Sequence, residues 1–328
     1  MKLTNKAIQY PIKFTPRLFE KVWGGDKLKK VLNKHTSSQF TGESWEISAV
    51  ENEVSVVANG PLKGKLLTEI IQENPIQLLG KKVFDQFGVS FPLLFKFIDA
   101  KKDLSIQLHP NDELAKERHN SFGKTEMWYI IEAEKDAKIH LGFNNSYYPE
   151  EYLKNIQMDK ITDMVENHCA KKGQAYLVEA GTIHAIGKNI LLAEIQQTSD
   201  ITYRVYDWNR KDLNGELREL HLELAFDALD FNQFKSKPIR FDNYRNIANK
   251  VVSDKYFTTN KINIEHVYQK DLTTIDSFIV YMCVEGAGTV KIDSSTENIK
   301  KGDTIFIPAS VLQIEIQSTS VELLEVYL

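Results

Sequence analysis

The sequence predicts a mainly β protein: two antiparallel jelly-roll barrels carrying a few helical insertions. Three observations lead there. Short apolar runs bounded by turn residues recur along the 328-residue chain, and Gly-containing turns separate most of them without an intervening helical period. Residues 172–181 and 302–308 share one pattern, a glycine leading into a short apolar strand, so the two halves read as a weak internal repeat. With 42% hydrophobic residues the chain can bury a substantial core, enough for one large domain or two smaller ones.

The elements follow in order. Residues 65–74 have helical spacing and stop at Pro75, and a second helix is expected around 76–79. Residues 111–118 read as a capped helix, and 149–156 open with Pro149, which suits a first helical turn. Residues 217–229 look like a crossover helix that ends the first barrel. The stretch from 231 to 249 is polar and basic and contains Pro238, so the expected division is 1–235 and 236–328. Beyond it, 277–286 reads as a strand, Gly286-Ala287-Gly288 as a turn, and a returning strand leads on to 302–308.

Ser105-Ile106-Gln107-Leu108-His109-Pro110 is the most informative run. Residues two apart on a strand share a face, so Gln107 and His109 can reach one ion while Ile106 and Leu108 pack behind them. Glu126, at the start of the next strand-like run, supplies a carboxylate, and His184 supplies a second imidazole. Two imidazoles, one carboxylate and one amide oxygen suit zinc or a similar divalent ion and leave room for water or substrate. His35, His119, His140, His168, His221 and His266 lack such neighbours and read as structural or surface residues. In the second copy of the repeat no histidine follows the turn, since Ala309-Ser310-Val311-Leu312 succeeds Pro308, so the second barrel is expected to be metal-free and structural. Trp128 and Tyr129 are assigned to the core, and Trp23-Gly24-Gly25 reads equally as a turn or as backbone approaching a ligand.

Composition limits the partners. The 41 basic and 45 acidic residues give a net charge of -4, which argues against nucleic acid or an anionic membrane as the main partner. Cys169 and Cys283 are far apart without a framework pattern, which fits a reducing cytoplasm. Residues 1–6 are polar with no apolar signal core, and no run of eighteen apolar residues suggests a membrane span.

Several motifs together resemble the type I mannose-6-phosphate isomerases, also called phosphomannose isomerases, in their short bacterial form. They are Phe19-Glu20-Lys21-Val22-Trp23-Gly24-Gly25, Phe91-Pro92-Leu93-Leu94-Phe95-Lys96, the Ser105 to Pro110 run, Gly123-Lys124-Thr125-Glu126, Gly181-Thr182-Ile183-His184-Ala185, Glu194-Ile195-Gln196-Gln197-Thr198-Ser199-Asp200 and Thr202-Tyr203-Arg204-Val205-Tyr206-Asp207. The resemblance runs from about residue 12 to 235, with a weaker continuation. It implies two cupin-type jelly-roll barrels, a catalytic metal-binding unit and a C-terminal cupin-like unit. It also places the family's zinc ligands on Gln107, His109, Glu126 and His184, its active-site arginine on Arg204, and its substrate-site serine and lysine on Ser105 and Lys124. Arg210 stands where longer relatives carry a lysine near the phosphate, and Thr125 agrees with the short form.

The implied reaction interconverts mannose 6-phosphate and fructose 6-phosphate through an enediol, so the expected partner is a hexose 6-phosphate. With so small a net charge, a phosphorylated substrate needs a local basic cluster, for which Lys124 and Arg210 are candidates. Arg204 is expected to stay protonated and to act electrostatically. Glu194 reads either as the general base or as a residue orienting a metal ligand. The rival readings are a non-catalytic sugar-phosphate-binding or regulatory cupin, and a cupin oxygenase. Retention of Lys124, Arg204 and all four ligands weighs against the first, and the phosphate-directed cations weigh against the second.

Overall fold

The computed structural model describes residues 8–158, 160–232 and 237–328. The expected boundary at 235/236 and the polar residues 1–6 therefore lie outside the described residues. The chain is mainly β, with antiparallel pairing throughout its three large sheets. The first sheet has six strands, in the order Ala175–Val178, Glu126–Ala133, Ile190–Gln197, Leu93–Ala100, Thr41–Ile47 and Arg17–Gly25. A five-stranded sheet runs Tyr203–Tyr206, Ile106–Leu108, His184–Ile186, Lys138–Phe143 and Val165–Cys169. The third runs Ala248–Ser253, Thr258–Asp271, Gln313–Tyr327, Ile279–Ile292 and Ser295–Lys300, with Thr304–Ile307 also paired to Ile279–Ile292. All three sheets are open, and no described sheet closes into a barrel.

The period of two along each central strand explains how the six-stranded sheet serves two purposes. Odd-numbered residues Leu93, Phe95, Phe97, Met127, Tyr129, Ile131, Leu191, Ala193 and Ile195 enter the largest apolar core. Even-numbered Ile98, Trp128, Ile130 and Leu192 face the five-stranded sheet, where they pack with Leu104, Ile139, Leu141 and Ile186. The same even-numbered face carries Lys96, Glu126 and Glu194, so polar residues are gathered between two sheets.

The largest core also crosses the chain's two halves. Phe91 lies 4.9 Å from Phe278 between ring centroids, and Phe278 stacks on Phe306 at 5.3 Å. Ile12 and Phe306 exchange two backbone hydrogen bonds of 2.9 Å. Val280, Met282 and Val284 join this core, while the intervening Ile279, Tyr281 and Cys283 fill a second one inside the C-terminal sheet.

Some expectations change. Gly286-Ala287-Gly288 is not a turn, because Ile279–Ile292 runs through it as one strand of 14 residues. Its register against Gln313–Tyr327 shifts between Cys283 and Glu285 and again between Ala287 and Thr289, so Gly288 falls at one bulge while Gly286 is regularly paired with Val321 between the two. Gly286 has φ +76°, and any Cβ there would collide with the Ser320 carbonyl oxygen. The helix expected over 217–229 is confined to Leu222–Ala228. The preceding residues are drawn out to meet the strand Tyr203–Tyr206: the Arg204 guanidinium donates to the Glu219 carbonyl, and the His221 and Arg204 backbones are hydrogen-bonded at 2.7 Å. Leu67–Glu73, Pro75–Leu79, Asp112–His119 and Pro149–Gln157 appear as helices, with Asn111 Oδ1 accepting from the Leu114 N–H at 3.0 Å. A further helix, Lys81–Phe87, was not expected. Its first N–H groups, on Lys81 and Lys82, are satisfied by the Asp276 carboxylate at 2.7 and 2.9 Å.

Candidate active site and metal centre

Strand register builds the site. Arg204 pairs with Gln107, and Gln107 pairs with His184, so three polar side chains lie side by side across the five-stranded sheet. His109 follows just beyond the strand Ile106–Leu108, and Glu126 comes from the facing sheet. His109 Nε2 lies 3.5 Å from Glu126 Oε2, and His184 Nε2 lies 3.6 Å from Glu126 Oε1. All three residues are buried, and one donor atom from each falls within 4.8 Å of the others.

This cluster fits a divalent cation. His109 Nε2 and both Glu126 oxygens are buried with no hydrogen-bond partner, a costly arrangement unless something else satisfies them. The Lys124 ammonium, 3.4 Å from Glu126 Oε2, approaches without forming an aligned hydrogen bond. Each imidazole points its Nδ1 at a backbone carbonyl, that of Ile201 for His109 and that of Thr182 for His184, both at 2.8 Å. Nδ1 therefore carries the proton and the Nε2 lone pair faces the cluster. Burial, aided by the Lys124 charge, holds His109 well below the usual histidine range and takes His184 down to about 4, so both stay neutral as a metal requires. Burial and the neighbouring Glu194 carboxylate push Glu126 up to about 7.

Gln107 borders the cluster with its Nε2 3.5 Å from His184 Nε2, while its Oε1 accepts from the Ser105 hydroxyl at 3.0 Å. A half-turn of the amide would exchange the two atoms, aiming oxygen at the cluster and leaving NH2 to donate to Ser105. The four expected ligands are thus together.

A cavity of about 440 Å³ opens beside them, lined by Ser105, Gln107, Lys124, Glu126, His184, Glu194 and Arg204 among others. Arg204 donates through Nη1 to the Glu219 carbonyl at 2.8 Å, and its buried Nε has no partner. Arg210 does not line the cavity: its guanidinium is held by Asp207, at 2.9 Å from Nη2, and by the Asp103 carbonyl. Arg218 lines it instead, gripping the other side of Asp207 with Nε 2.6 Å from Oδ2.

Sequence reasoning also passed over Lys96. Its ammonium donates to Glu194 Oε1 at 3.0 Å and to Gln196 Oε1 at 2.6 Å, and lies 5.0 Å from the Trp45 ring centroid. Glu194 accepts a second hydrogen bond, from the Trp128 indole at 2.9 Å. Burial alone would raise the Glu194 carboxyl, but Lys96 and Lys124 outweigh it and hold the group ionised. Trp128, assigned to the core, is buried and also lines the cavity. Glu43 pairs with Lys21 at 3.3 Å and accepts from the Trp45 indole at 2.8 Å; burial would raise its carboxyl, but the Lys21 and Lys96 charges and the indole hydrogen bond take it down to about 2. One signal marked Lys96 in advance: it is the lone charge in the first six residues of the wholly buried strand Leu93–Ala100.

The comparisons with known proteins agree with this geometry. The family described as phosphomannose isomerase type I, catalytic domain, matches residues 12–135, and that described as mannose-6-phosphate isomerase, cupin domain, matches 247–328. A putative mannose-6-phosphate isomerase of Bacillus subtilis (strain 168), YvyI, is 36% identical and covers 95% of this chain and 97% of its own. The mannose-6-phosphate isomerase of Streptococcus mutans is 34% identical over 92% of this chain and 93% of its own. The crystal structure of mannose 6-phosphate isomerase from Bacillus subtilis superimposes with a TM-score of 0.89 at 35% identity, covering 98% of this chain and all of that one. With relatives matched along almost their whole length and both family regions present in order, the chain belongs to the type I phosphomannose isomerases.

Proposed function

We propose that this chain interconverts mannose 6-phosphate and fructose 6-phosphate, an aldose–ketose isomerisation through an enediol, and that it does so with one zinc ion held by Gln107, His109, Glu126 and His184. The observation that carries the reading is the buried His109–Glu126–His184 cluster, with unsatisfied atoms beside a cavity that Lys124 and Arg204 line. When bound, such an ion polarises the sugar carbonyl and stabilises developing negative charge on oxygen.

The chain's own groups divide the remaining work. A base must take the C2 proton and return it to C1, while a proton passes from the C2 hydroxyl to the C1 oxygen. Glu194 is the candidate base, supported by its ionised state and its fixed position between Lys96 and Trp128. Arg204, with a buried and unpartnered Nε, offers a donor to the developing oxyanion. Ser105 and Lys124 bind substrate, Lys124 through the phosphate; Arg210 backs the phosphate end by sharing Asp207 with Arg218.

We assign catalysis to residues 1–235 and a metal-free structural role to 236–328, each unit a variation on the jelly roll. The weak repeat supports this, as does the C-terminal sheet's interior of packed Ile262, Ile264, Tyr281 and Leu323. Two free cysteines, Cys169 and Cys283, support a cytoplasmic setting. The decisive experiment removes metal from the purified protein with a chelator, assays mannose 6-phosphate, and restores zinc. Isomerase activity should vanish and return, and His184→Ala should bind no stoichiometric metal. A His184→Ala variant with full metal and full activity would overturn the assignment.

A further inference from the structure

One carboxylate, Asp112, organises the backbone on both sides of Lys124. Its Oδ1 accepts from the Gly123 N–H at 3.0 Å and from the Gln197 side-chain amide at 2.9 Å. With Nε2 committed to Asp112, Gln197 presents Oε1 to the Thr125 N–H at 2.9 Å. The Lys124 N–H goes to the Pro110 carbonyl at 3.2 Å. Three successive peptide groups are thus fixed, the outer two through Asp112. The fit has no slack, since a Cβ on Gly123 would lie 2.6 Å from the Asp112 nitrogen.

The other oxygen of this carboxylate reaches the C-terminal sheet. Asp112 Oδ2 accepts from the Tyr256 hydroxyl at 2.6 Å, with the Lys255 ammonium 3.9 Å away. Tyr256 sits in the turn between Ala248–Ser253 and Thr258–Asp271, and the turn is itself braced. Asp254 Oδ1 accepts from the N–H groups of Tyr256 and Phe257 at 2.7 and 3.2 Å, and Phe257 is buried in the core that joins the two halves. Hydrogen bonds to a carboxylate are stronger than neutral ones, so this contact can transmit position as well as hold shape.

We propose that Tyr256 is a positioning residue for Lys124: its hydroxyl orients Asp112, which sets the Gly123–Thr125 backbone from which the lysine reaches the substrate. The C-terminal sheet then takes part in substrate binding without lining the cavity. The proposal rests on the reading of Lys124 as a phosphate-binding cation.

The test compares Tyr256→Phe, Lys124→Met and the double variant with mannose 6-phosphate. Tyr256→Phe should raise KM roughly tenfold with kcat within about twofold of the parent. The double variant should show the KM of Lys124→Met alone, because a misplaced lysine and a missing one lose the same contact. A Tyr256→Phe variant with parental KM beside a Lys124→Met variant with raised KM overturns the positioning role, and so do losses that multiply in the double variant. An unchanged KM for Lys124→Met rejects the phosphate reading, and the positioning role falls with it. Should Tyr256→Phe fail to fold, Asp112→Asn weakens the same link from the other side and must give the same non-multiplying pattern.

Discussion

Arg204 and Lys124 face one cavity but are held differently, and their substitution should separate two kinds of binding. Arg204→Met should lower kcat by about 10²-fold with metal content unchanged, as loss of a fixed donor to the transition state does. Metal analysis beside steady-state kinetics checks this, and an unchanged kcat would remove Arg204 from the chemistry. Lys124→Met should mainly raise KM for mannose 6-phosphate and leave turnover of unphosphorylated mannose much less affected; equal losses on both sugars would reject the phosphate role. Asp99 gives a pH signature away from the site. Burial raises its carboxyl to about 6, although it accepts the Lys27 N–H at 2.7 Å. Between pH 4 and 6 the unfolded chain has released this proton while the folded one keeps it, so stability falls as pH rises through that window, by at most roughly 3 kcal/mol. Asp99→Asn should flatten that part of the stability profile, measured by urea midpoints. At this scale the proposed ligands Gln107 and His109 were legible as neighbours because strand period and residue type suffice to mark them. Arg218 was not, because its grip on Asp207 is set by loop path, and although Lys96 stands out as a lone charge in an apolar run, its partners Glu194 and Gln196 are set by strand register, which no local pattern carries.

At the scale of elements, Gly286 shows how a turn residue can mislead. Gly-Ala-Gly has turn chemistry, yet here it runs on inside one long strand, with one bulge before it and one at Gly288. Gly286→Val should cost at least about 2 kcal/mol, through its positive φ and the collision with the Ser320 carbonyl, whereas a true solvent-exposed turn would lose less. Denaturant unfolding decides between them. The short helix Lys81–Phe87 carries the complementary lesson. Its cap comes from Asp276, distant in sequence, so nothing near Lys81 announced a helix start. Asp276→Ala should therefore destabilise by about 1 kcal/mol, the usual worth of a cap. By contrast the Asn111 and Pro149 signals are local, and both helices were foreseen.

For the whole molecule, the aromatic contact of Phe91, Phe278 and Phe306 makes the expected division at 235/236 a matter of chain organisation more than of independent stability. Phe278→Ala should cost about 3–5 kcal/mol and shift a single calorimetric transition, not create two. Amide exchange should quicken in Leu93–Ala100 along with Ile279–Ile292. Two transitions, or unchanged protection in Leu93–Ala100, would show that the halves unfold separately. The mainly β class was legible from alternation and turns. The open sheets and the shared core were not, since which face of a strand meets which distant phenylalanine is decided only on assembly.

Three of the four tryptophans in the sequence, Trp23, Trp45 and Trp128, line the cavity, while Trp208 lies apart from that lining with its indole donating to the Leu104 carbonyl at 2.8 Å. The chain's intrinsic fluorescence is therefore weighted toward the site. A sugar phosphate that displaces water there alters the surroundings of most of the emitting indoles at once, so untagged protein reports its own occupancy. Affinity then becomes measurable in variants that no longer turn over, by steady-state titration and without a coupling enzyme.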